Sequence, residues 1–575
     1  MLWFRRVEAG VLGGHKGAML VILDDAIAAR RRVYSGALAV ISADSPGEVP
    51  AALGAVEAAL AQGRHVAGWL GYELGHALEG RFGGGASGPL LRLGVFDGPG
   101  QAPPAQGRAY AGPLRLDWDE AAYGRRFAAV KGYIAAGDIY QANLSFRARF
   151  VFAGAPRALY EQLLARSGAG HCGFIDDGER QIVSLSPELF FELSADGAMT
   201  VRPMKGTLPR GADDEAERAK LAASAKDRAE NLMIVDLIRN DLSRIAAPGS
   251  VAVSDLFKVE TYPTLHTMVS TVTARKRQGI GAAEILRALF PCGSITGAPK
   301  IRAMEILREL ETSPRGAYCG AVGHFAPDGS ARFNVAIRTL TIKGGEGELG
   351  IGGGVVQDSR ADSEYAECLL KARFFEAGRR PVELIETLRW DDGFVRLKAH
   401  LARMEKSASV FGLCFSQAAA RAALEAAVAG RTGAARVRLV LNEEAGHSAS
   451  AHDLPPNPGH WTYRLAETRT DSTDLLLCHK TSWRELYDAP HPGSDEVVFQ
   501  NERGELTEGA RSNIFIERGG LLLTPPLGAG VLPGILRAEL IAQGRAREVT
   551  LTPGDLNGPV YFGNSLRGLI PAKRV

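Results

Sequence analysis

Cysteine is scarce in this chain, with six residues in 575. They stand apart at Cys172, Cys292, Cys319, Cys368, Cys414 and Cys478, with no C-x-x-C pair. That excludes a zinc or thioredoxin-type motif and fits a reducing, cytoplasmic setting. A surplus of one charge is missing too: 67 basic side chains stand against 65 acidic ones, for a net charge of +2. Without a block of like charges there is no electrostatic footprint for nucleic acid. Apolar runs such as Ala37–Ile41 are far shorter than the ~20 residues that span a bilayer. The start, Met1 to Arg6, has no apolar h-region with a small-residue cleavage site, so no secretory leader is expected. The G-x-x-x-x-G-K-[ST] spacing of a Walker A loop is absent from the glycine-containing run Gly293–Lys300.

What is present is a composition for burying cores. Hydrophobic residues make up 46% and charged residues 23%, and the length suits two to four domains at roughly 150 residues each. Met19–Leu23, Ala37–Ile41 and Val66–Leu70 read as strands, and Pro50–Gln62 as a helix. Gly83–Gly88 and Gly98–Gly107 read as loops. Asp119–Ala136 carries the helical stripe Tyr123, Phe127, Val130, Tyr133 and Ile134. Ile139–Phe146 alternates like a strand, as do Gln181–Leu185 and Leu189–Leu193. Glu188 stands beside a proline at the joint of the last two, as an ordinary turn glutamate would.

The run RPMKGT places Lys205 between a proline and a glycine. Pro203 fixes its own φ, and Gly206 permits a turn or a close approach. Such a run can hold an amine at a pocket wall, or leave it as a surface charge. Asp213–Ser243 reads as one long helix. In it Asp227 and Glu230 share a face, and Glu364 and Glu367 repeat that spacing on a second helix. The pairs read as solvated faces or, if they face each other, as oxygen ligands suited to Mg²⁺. Gly293–Lys300 runs into the helix Ile301–Leu310, whose N-terminus offers N–H groups to an anion. Phe333–Leu340 reads as a strand with Arg338 near its end, and Gly352–Gly354 implies close backbone approach.

Eight segments in order, Gly137–Ser145, Ser186–Glu188, Arg202–Thr207, Glu230–Leu242, Thr261–Ser270, Gly293–Lys300, Gly320–Thr339 and Gly352–Ala372, resemble the motif set of the chorismate-utilising enzymes. The resemblance covers most of residues 1–378 and is strongest over 120–375. It implies an α/β (α+β) sandwich of large antiparallel sheets with outer helices, and a Mg²⁺-dependent site for chorismate. It implies Glu230 and Glu367 as metal carboxylates, supported by Asp227 and Glu364; Asp227 stands where relatives often have Glu. Arg338 and Lys371 resemble residues that bind substrate carboxylates. Thr296, Gly297, Gly352, Gly353 and Gly354 match backbone contacts to substrate. His266 matches a histidine at the ring, and Glu188 resembles the general acid for the departing C4 oxygen.

Two positions separate the branches of that family. Water-adding members carry a lysine where this chain has Gln141. Anthranilate-forming members usually have alanine at Lys205, whereas C4-aminating members have the lysine, which attacks C2 of chorismate. That attack requires a neutral amine.

Gly378–Pro381 reads as a linker, giving expected domains 1–378 and 383–575 joined by 379–382. Beyond it, Glu383–Arg389 and Phe394–Leu397 read as a hairpin, His400–Phe411 as a helix and Leu475–Cys478 as a strand leading to Lys480. Lys480, the run Glu508–Asn513, Pro533–Arg537 and Ser565 resemble, in order, the fold-type IV pyridoxal-phosphate enzymes. The resemblance implies a two-subdomain fold of the D-amino acid aminotransferase kind. It implies Lys480 as the Schiff-base lysine and Glu508 as the carboxylate on the pyridine nitrogen. Arg403, Ser565 and the N–H groups of Ile535 and Leu536 are implied as phosphate ligands. The two resemblances together imply a bifunctional enzyme making 4-aminobenzoate and pyruvate from chorismate. Ammonia would come from a separate glutamine amidotransferase or from free solution, since no glutaminase motif is present. A homodimer through the second half is implied by analogy. The alternatives are an anthranilate-type first half, and an aminotransferase or a degenerate scaffold as the second.

Overall fold

The computed structural model describes residues 19–82, 88–211, 213–261, 265–489 and 492–575. The start Met1–Arg6, most of the loop expected at Gly83–Gly88 and part of the Thr261–Ser270 segment lie outside them. The chain forms two compact units. The first comprises residues 1–104, 113–150 and 160–378, and the second 105–112, 151–159 and 379–575.

The first unit is built on two ten-stranded sheets whose described pairings are antiparallel. One sheet runs from Gly297–Ala298 through Gln141–Gly154, Glu346–Val355, Thr339–Lys343, Gln181–Ser186 and His171–Asp176 to Leu20–Asp25 and Arg30–Tyr34. The other contains Met204–Pro209, Leu265–Arg275, Ala198–Arg202, Leu189–Leu193, Ala331–Val335 and Ala321–Phe325. Stacked Phe191 and Phe333, with ring centroids 5.4 Å apart, pack across neighbouring strands of its core. The expected stripe on Glu120–Ala135 buries Tyr123, Phe127 and Val130, and Asp119 caps that helix by accepting from the Ala122 N–H at 2.7 Å.

Two expectations fail here for local reasons. Asp213–Ser243 is two helices, Asp214–Ala223 and Ala225–Ser243. Ser224 between them is extended, at φ −64° and ψ 109°, and its hydroxyl accepts from the Asp227 N–H at 3.3 Å. A serine that can cap the next helix competes with continuing the previous one. Phe333–Leu340 is likewise not one strand. The chain leaves one sheet at Val335, passes Arg338 at φ +50°, and joins the other sheet at Thr339. The Arg338 carbonyl accepts from Leu185 N–H at 3.1 Å, which fixes the crossing.

The second unit has two subdomains. A three-stranded sheet of Leu384–Trp390, Ala435–Leu441 and His447–Asp453 packs with the helices Leu397–Phe411 and Gln417–Val428. A seven-stranded mixed sheet follows, from Glu496–Asn501 through Trp461–Thr470 to Ala546–Glu548. The hairpin expected at Phe394–Leu397 is reduced to a single bridge, Trp390 with Phe394. Arg396 takes the left-handed conformation at φ 58° and starts the helix at Leu397. Leu475–Cys478 is a 3₁₀ turn and not a strand, because the Asp474 side chain accepts from Leu476 N–H at 3.0 Å.

Ser224→Ala should cost about 1 kcal/mol at the start of Ala225–Ser243, the usual penalty for a lost cap. Amide exchange of the first turn should then rise about fivefold. Unchanged exchange there would show that the cap does not hold the break.

Candidate active sites

In the first unit, the glycines that suggested close approach are crowded by the predicted site residues. A Cβ on Gly354 would lie 2.5 Å from Gln141 Nε2 and 3.5 Å from Lys205 Nζ. One on Gly353 would meet Glu364 Oε2 at 3.3 Å and Lys371 Nζ at 3.7 Å, and one on Gly352 would strike Ser145 Oγ at 2.3 Å. Lys371 donates to the Gly352 carbonyl at 3.0 Å. Lys205 sits on Met204–Pro209 opposite Met268, at a register shift. Gly206 after it has φ +73°, and a Cβ there would lie 2.8 Å from Asp227 Cγ, so glycine is required twice over.

Gln141 is fully buried, and neither amide atom has a hydrogen-bond partner. Glu188 is 4% exposed, with Oε1 unpartnered. Burial pushes its carboxyl up to about 7, against the opposing pull of Ser294 and Lys205. Gly297 pairs with Ala142, and Thr296 is buried, donating to the Cys292 and Gly293 carbonyls at 3.2 and 3.1 Å. Arg338 is pulled down by burial. His266 is fully buried; its Nδ1 lies 2.9 Å from Thr261 Oγ1 and its Nε2 3.3 Å from Asp214 Oδ1.

The two acidic pairs come near one another at Lys226. Lys226 Nζ lies 3.9 Å from Glu230 Oε1 and 4.0 Å from Glu364 Oε1. Burial raises the Glu230 carboxyl; Lys205 and Lys226 oppose that, and Asp227 and Glu364 add to it. Glu367 pairs with Lys371 at 2.9 Å, and that charge outweighs desolvation to hold its carboxyl low. Among the described residues, no three carboxylate, histidine or cysteine side chains already close around one point. Ser294 and Lys226 were not singled out in the sequence: Ser294 acts through Glu188, far off in the chain, and Lys226 gains its place from Glu364 on a second helix as well as Glu230 on its own.

In the second unit, a cavity of about 630 Å³ is lined by Lys480, Glu508, Arg403, Ile535 and Ser565. Burial, then the charges of Arg403 and Arg484, pull the Lys480 amine down to about 8. Glu508 is pushed up to about 7 by burial, while Tyr487 and the Leu532 N–H oppose it. Tyr487 donates to Glu508 Oε1 at 2.9 Å, and Leu532 N and Asn513 Nδ2 donate to Oε2 at 3.0 and 3.2 Å. Arg403 donates to the Pro533 carbonyl at 3.0 Å and twice to Glu386. The helix Ile535–Ala542 starts after Gly534, where a Cβ would lie 1.8 Å from Asn513 Oδ1. Its first turn leaves the N–H groups of Ile535 and Leu536 without intrahelical acceptors.

Residues 92–377 match the family described as chorismate binding enzyme, and residues 383–575 match amino-transferase class IV. The chain joins a chorismate binding domain to a class IV aminotransferase domain. It is 47% identical over 256 residues to aminodeoxychorismate synthase component 1 of Klebsiella aerogenes, covering 44% of this chain and 56% of that one. The chain thus spans a little over half the length of this curated relative. Anthranilate synthase component I of Streptococcus pneumoniae has the same fold over 63% of this chain and 91% of its own, at 24% identity and a TM-score of 0.51. A Mesorhizobium loti structure named for amino-acid aminotransferase activity is 43% identical over 34% of this chain and all of its own, with a TM-score of 0.33. The class IV domain implies pyridoxal 5′-phosphate. The residues present fit it: a depressed lysine amine, a buried carboxylate with three donors, and an arginine with a helix start line one cavity. No described helix is long and apolar enough to cross a membrane.

Glu188 has a carboxyl raised from 4.5 to about 7. Its neutral form is therefore the one the fold prefers. The associated stability is fully present below pH 4.5 and is lost as pH rises through about 7. The loss at pH 8 is on the order of 3 kcal/mol. Glu188→Gln should match the parent in thermal unfolding at pH 4.5 and exceed it at pH 8. Equal melting at both would contradict the buried-acid assignment.

Proposed function

We propose that the chain is a bifunctional enzyme of 4-aminobenzoate synthesis, with residues 1–378 aminating chorismate at C4 and residues 383–575 releasing pyruvate from the product. The observation that carries this is the placing of Lys205 and Gln141 together against Gly354. An amine and a non-basic amide at that wall favour attack by lysine over activation of water. Lys205 Nζ bonds to C2, the two ring double bonds shift, and the C4–O bond breaks as Glu188 gives its proton to the leaving oxygen. Ammonia then bonds to C4, the double bonds shift back, and Lys205 leaves from C2. A carboxyl at about 7 keeps its proton on about half of the molecules in neutral solution, which suits Glu188 to giving and regaining it. Arg338 and Lys371 bind the substrate carboxylates, the backbone of Thr296, Gly297 and Gly352–Gly354 lines the substrate, and His266 lies at the ring.

Glu230 and Glu367, with Asp227 and Glu364, would hold Mg²⁺. The raised Glu230 carboxyl among acidic neighbours supports this, because a divalent cation relieves that repulsion. When bound, Mg²⁺ offsets the negative charge of the ring carboxylate and the departing oxygen.

In the second half, Lys480 takes the proton from the amine-bearing carbon, the bond to the enolpyruvyl oxygen breaks, and the ring becomes aromatic. Pyridoxal phosphate, when bound, supplies the electron sink for that carbon, with Glu508 against its ring nitrogen. Arg403, Ser565 and the N–H groups of Ile535 and Leu536 would hold its phosphate. The similarity to a component 1 protein supports a separate glutamine amidotransferase as ammonia source. A cytoplasmic homodimer through the second half belongs to the same reading.

Full-length protein given chorismate, Mg²⁺ and ammonium should release 4-aminobenzoate and pyruvate. Lys480→Ala should stop at the aminated, non-aromatic product. Anthranilate as product would overturn the first assignment, and amino transfer to a keto acid without pyruvate release would overturn the second.

A further inference from the structure

Residues 105–112 and 151–159 lie within the stretch that matches chorismate binding enzyme, yet they belong to the second unit. They form an antiparallel strand pair, with Ala109 opposite Gly154 and Ala111 opposite Phe152. Tyr110, opposite Ala153, is fully buried in the core of the three-stranded sheet and its helices. Its ring centroid lies 5.1 Å from that of Phe411 and 6.4 Å from that of Trp483. Its hydroxyl donates to Glu443 Oε1 at 3.0 Å. On the other strand, Val151 packs so closely under Gly412 that a Cβ there would lie 2.5 Å from Val151 Cγ2. No role described above uses this strand pair.

What the pair grips is the loop that carries Lys480. Arg108 Nε donates to Asp474 Oδ2 at 2.7 Å, and Arg108 Nη1 donates to the Trp483 carbonyl at 3.2 Å. One guanidinium therefore ties together both ends of the stretch 474–483, with Lys480 between them. Just before it, Gly107 N–H donates to Asp471 Oδ2 at 2.7 Å. Asp474 uses its other oxygen, Oδ1, to cap the 3₁₀ turn through Leu476 N–H. Between the tied ends, Ile385 N–H donates to the Lys480 carbonyl at 2.8 Å, and Ser407 Oγ lies 2.9 Å from His479 Nδ1. The His479 ring stands edge-on to Phe411, which packs in turn on Tyr110.

We propose that Arg108 is a positioning residue for Lys480: a brace, supplied from the chorismate-binding stretch of the chain, that fixes the loop presenting the lysine to the class IV cavity. The chemical consequence rests on the class IV reading of that cavity; the brace itself rests on the contacts. Arg108 does not line the cavity, so it acts through the loop. A guanidinium suits the task, because its donors point in fixed directions from one rigid plane and can serve two acceptors at once. A lysine at the same place is a single point donor and serves one end only. The Asp474 side chain is 9% exposed, so removing Arg108 leaves a nearly buried carboxylate without its cation. A change at residue 108, far ahead of residues 383–575, is therefore expected to strike the second activity and spare the first.

The test compares the full-length parent with Arg108→Ala and Arg108→Lys. Amide exchange over residues 476–483 is read without cofactor. Affinity for pyridoxal 5′-phosphate is read from its visible absorbance, and pyruvate release is set against chorismate consumption with Mg²⁺ and ammonium. Arg108→Ala should raise exchange across the loop and lower both cofactor affinity and pyruvate release by about tenfold, the scale of one charge-assisted hydrogen bond. Chorismate consumption should stay at the parent's rate. Arg108→Lys should fold like the parent and fall between the two, holding Asp474 while releasing Trp483. Parent-like exchange, or parent-like affinity and pyruvate release, in Arg108→Ala would overturn the proposal. An equal loss of both activities would overturn it too, since that marks a general loss of folding. If Arg108→Ala does not fold, parent-like exchange and affinity in Arg108→Lys overturn it on their own. A parent chain that develops no cofactor band refutes the class IV reading instead, and the exchange measurement still decides the brace.

Discussion

Desolvation of charge governs both sites. A carboxyl taken out of water keeps its proton, and an ammonium taken out of water gives one up, unless neighbours intervene. In the first unit Glu188 is sealed under the strand joint at Ser186–Glu188 and holds its proton near neutrality. In the second, Lys480 is brought down by burial and two arginines until neutral amine is accessible. Folding therefore sets up an acid in one unit and a base in the other, at some loss of stability in the ionised state.

The surrounding architecture serves to keep those groups in place. Glycine at 352–354 lets the backbone run against Ser145, Glu364, Lys371, Gln141 and Lys205 without a Cβ between. The left-handed Gly206 turns Lys205 towards that wall while leaving room for Asp227. The break at Ser224 starts a fresh helix whose first turns carry Asp227 and Glu230. The sheet crossing at Arg338 takes the guanidinium into a half-buried setting. Each device is local and costs about 1 kcal/mol or less to maintain; the close approach at Gly354 brings Gln141 and Lys205 together across a long stretch of chain.

Much of this was legible from residue order. Proline and glycine around Lys205 marked a shaped turn, the spacing of Asp227 with Glu230 and of Glu364 with Glu367 marked two acidic faces, and the glycine run marked a close approach. What was not legible has physical reasons. Alternation along Phe333–Leu340 looks the same whether the strand stays in one sheet or changes sheets at Arg338. Four apolar residues at Leu475–Cys478 have no periodicity to separate a strand from a 3₁₀ turn, and the Asp474 cap decides it. Partnerships such as His400 with Ser565, 165 positions apart, are set by the tertiary fold and leave no local trace. The approach of Lys226 to Glu364 belongs to the same class, whereas its spacing from Glu230 is local.

The central claim is that Lys205 acts as a nucleophile on chorismate. Intact and peptide mass spectrometry of the full-length chain, incubated with chorismate and Mg²⁺ but no ammonia, tests it most directly. A single adduct of chorismate less water on Lys205, discharged by adding ammonium and absent from Lys205→Ala, is the predicted result. Turnover to an aminated product by a chain whose Lys205 never carries that mass would contradict it.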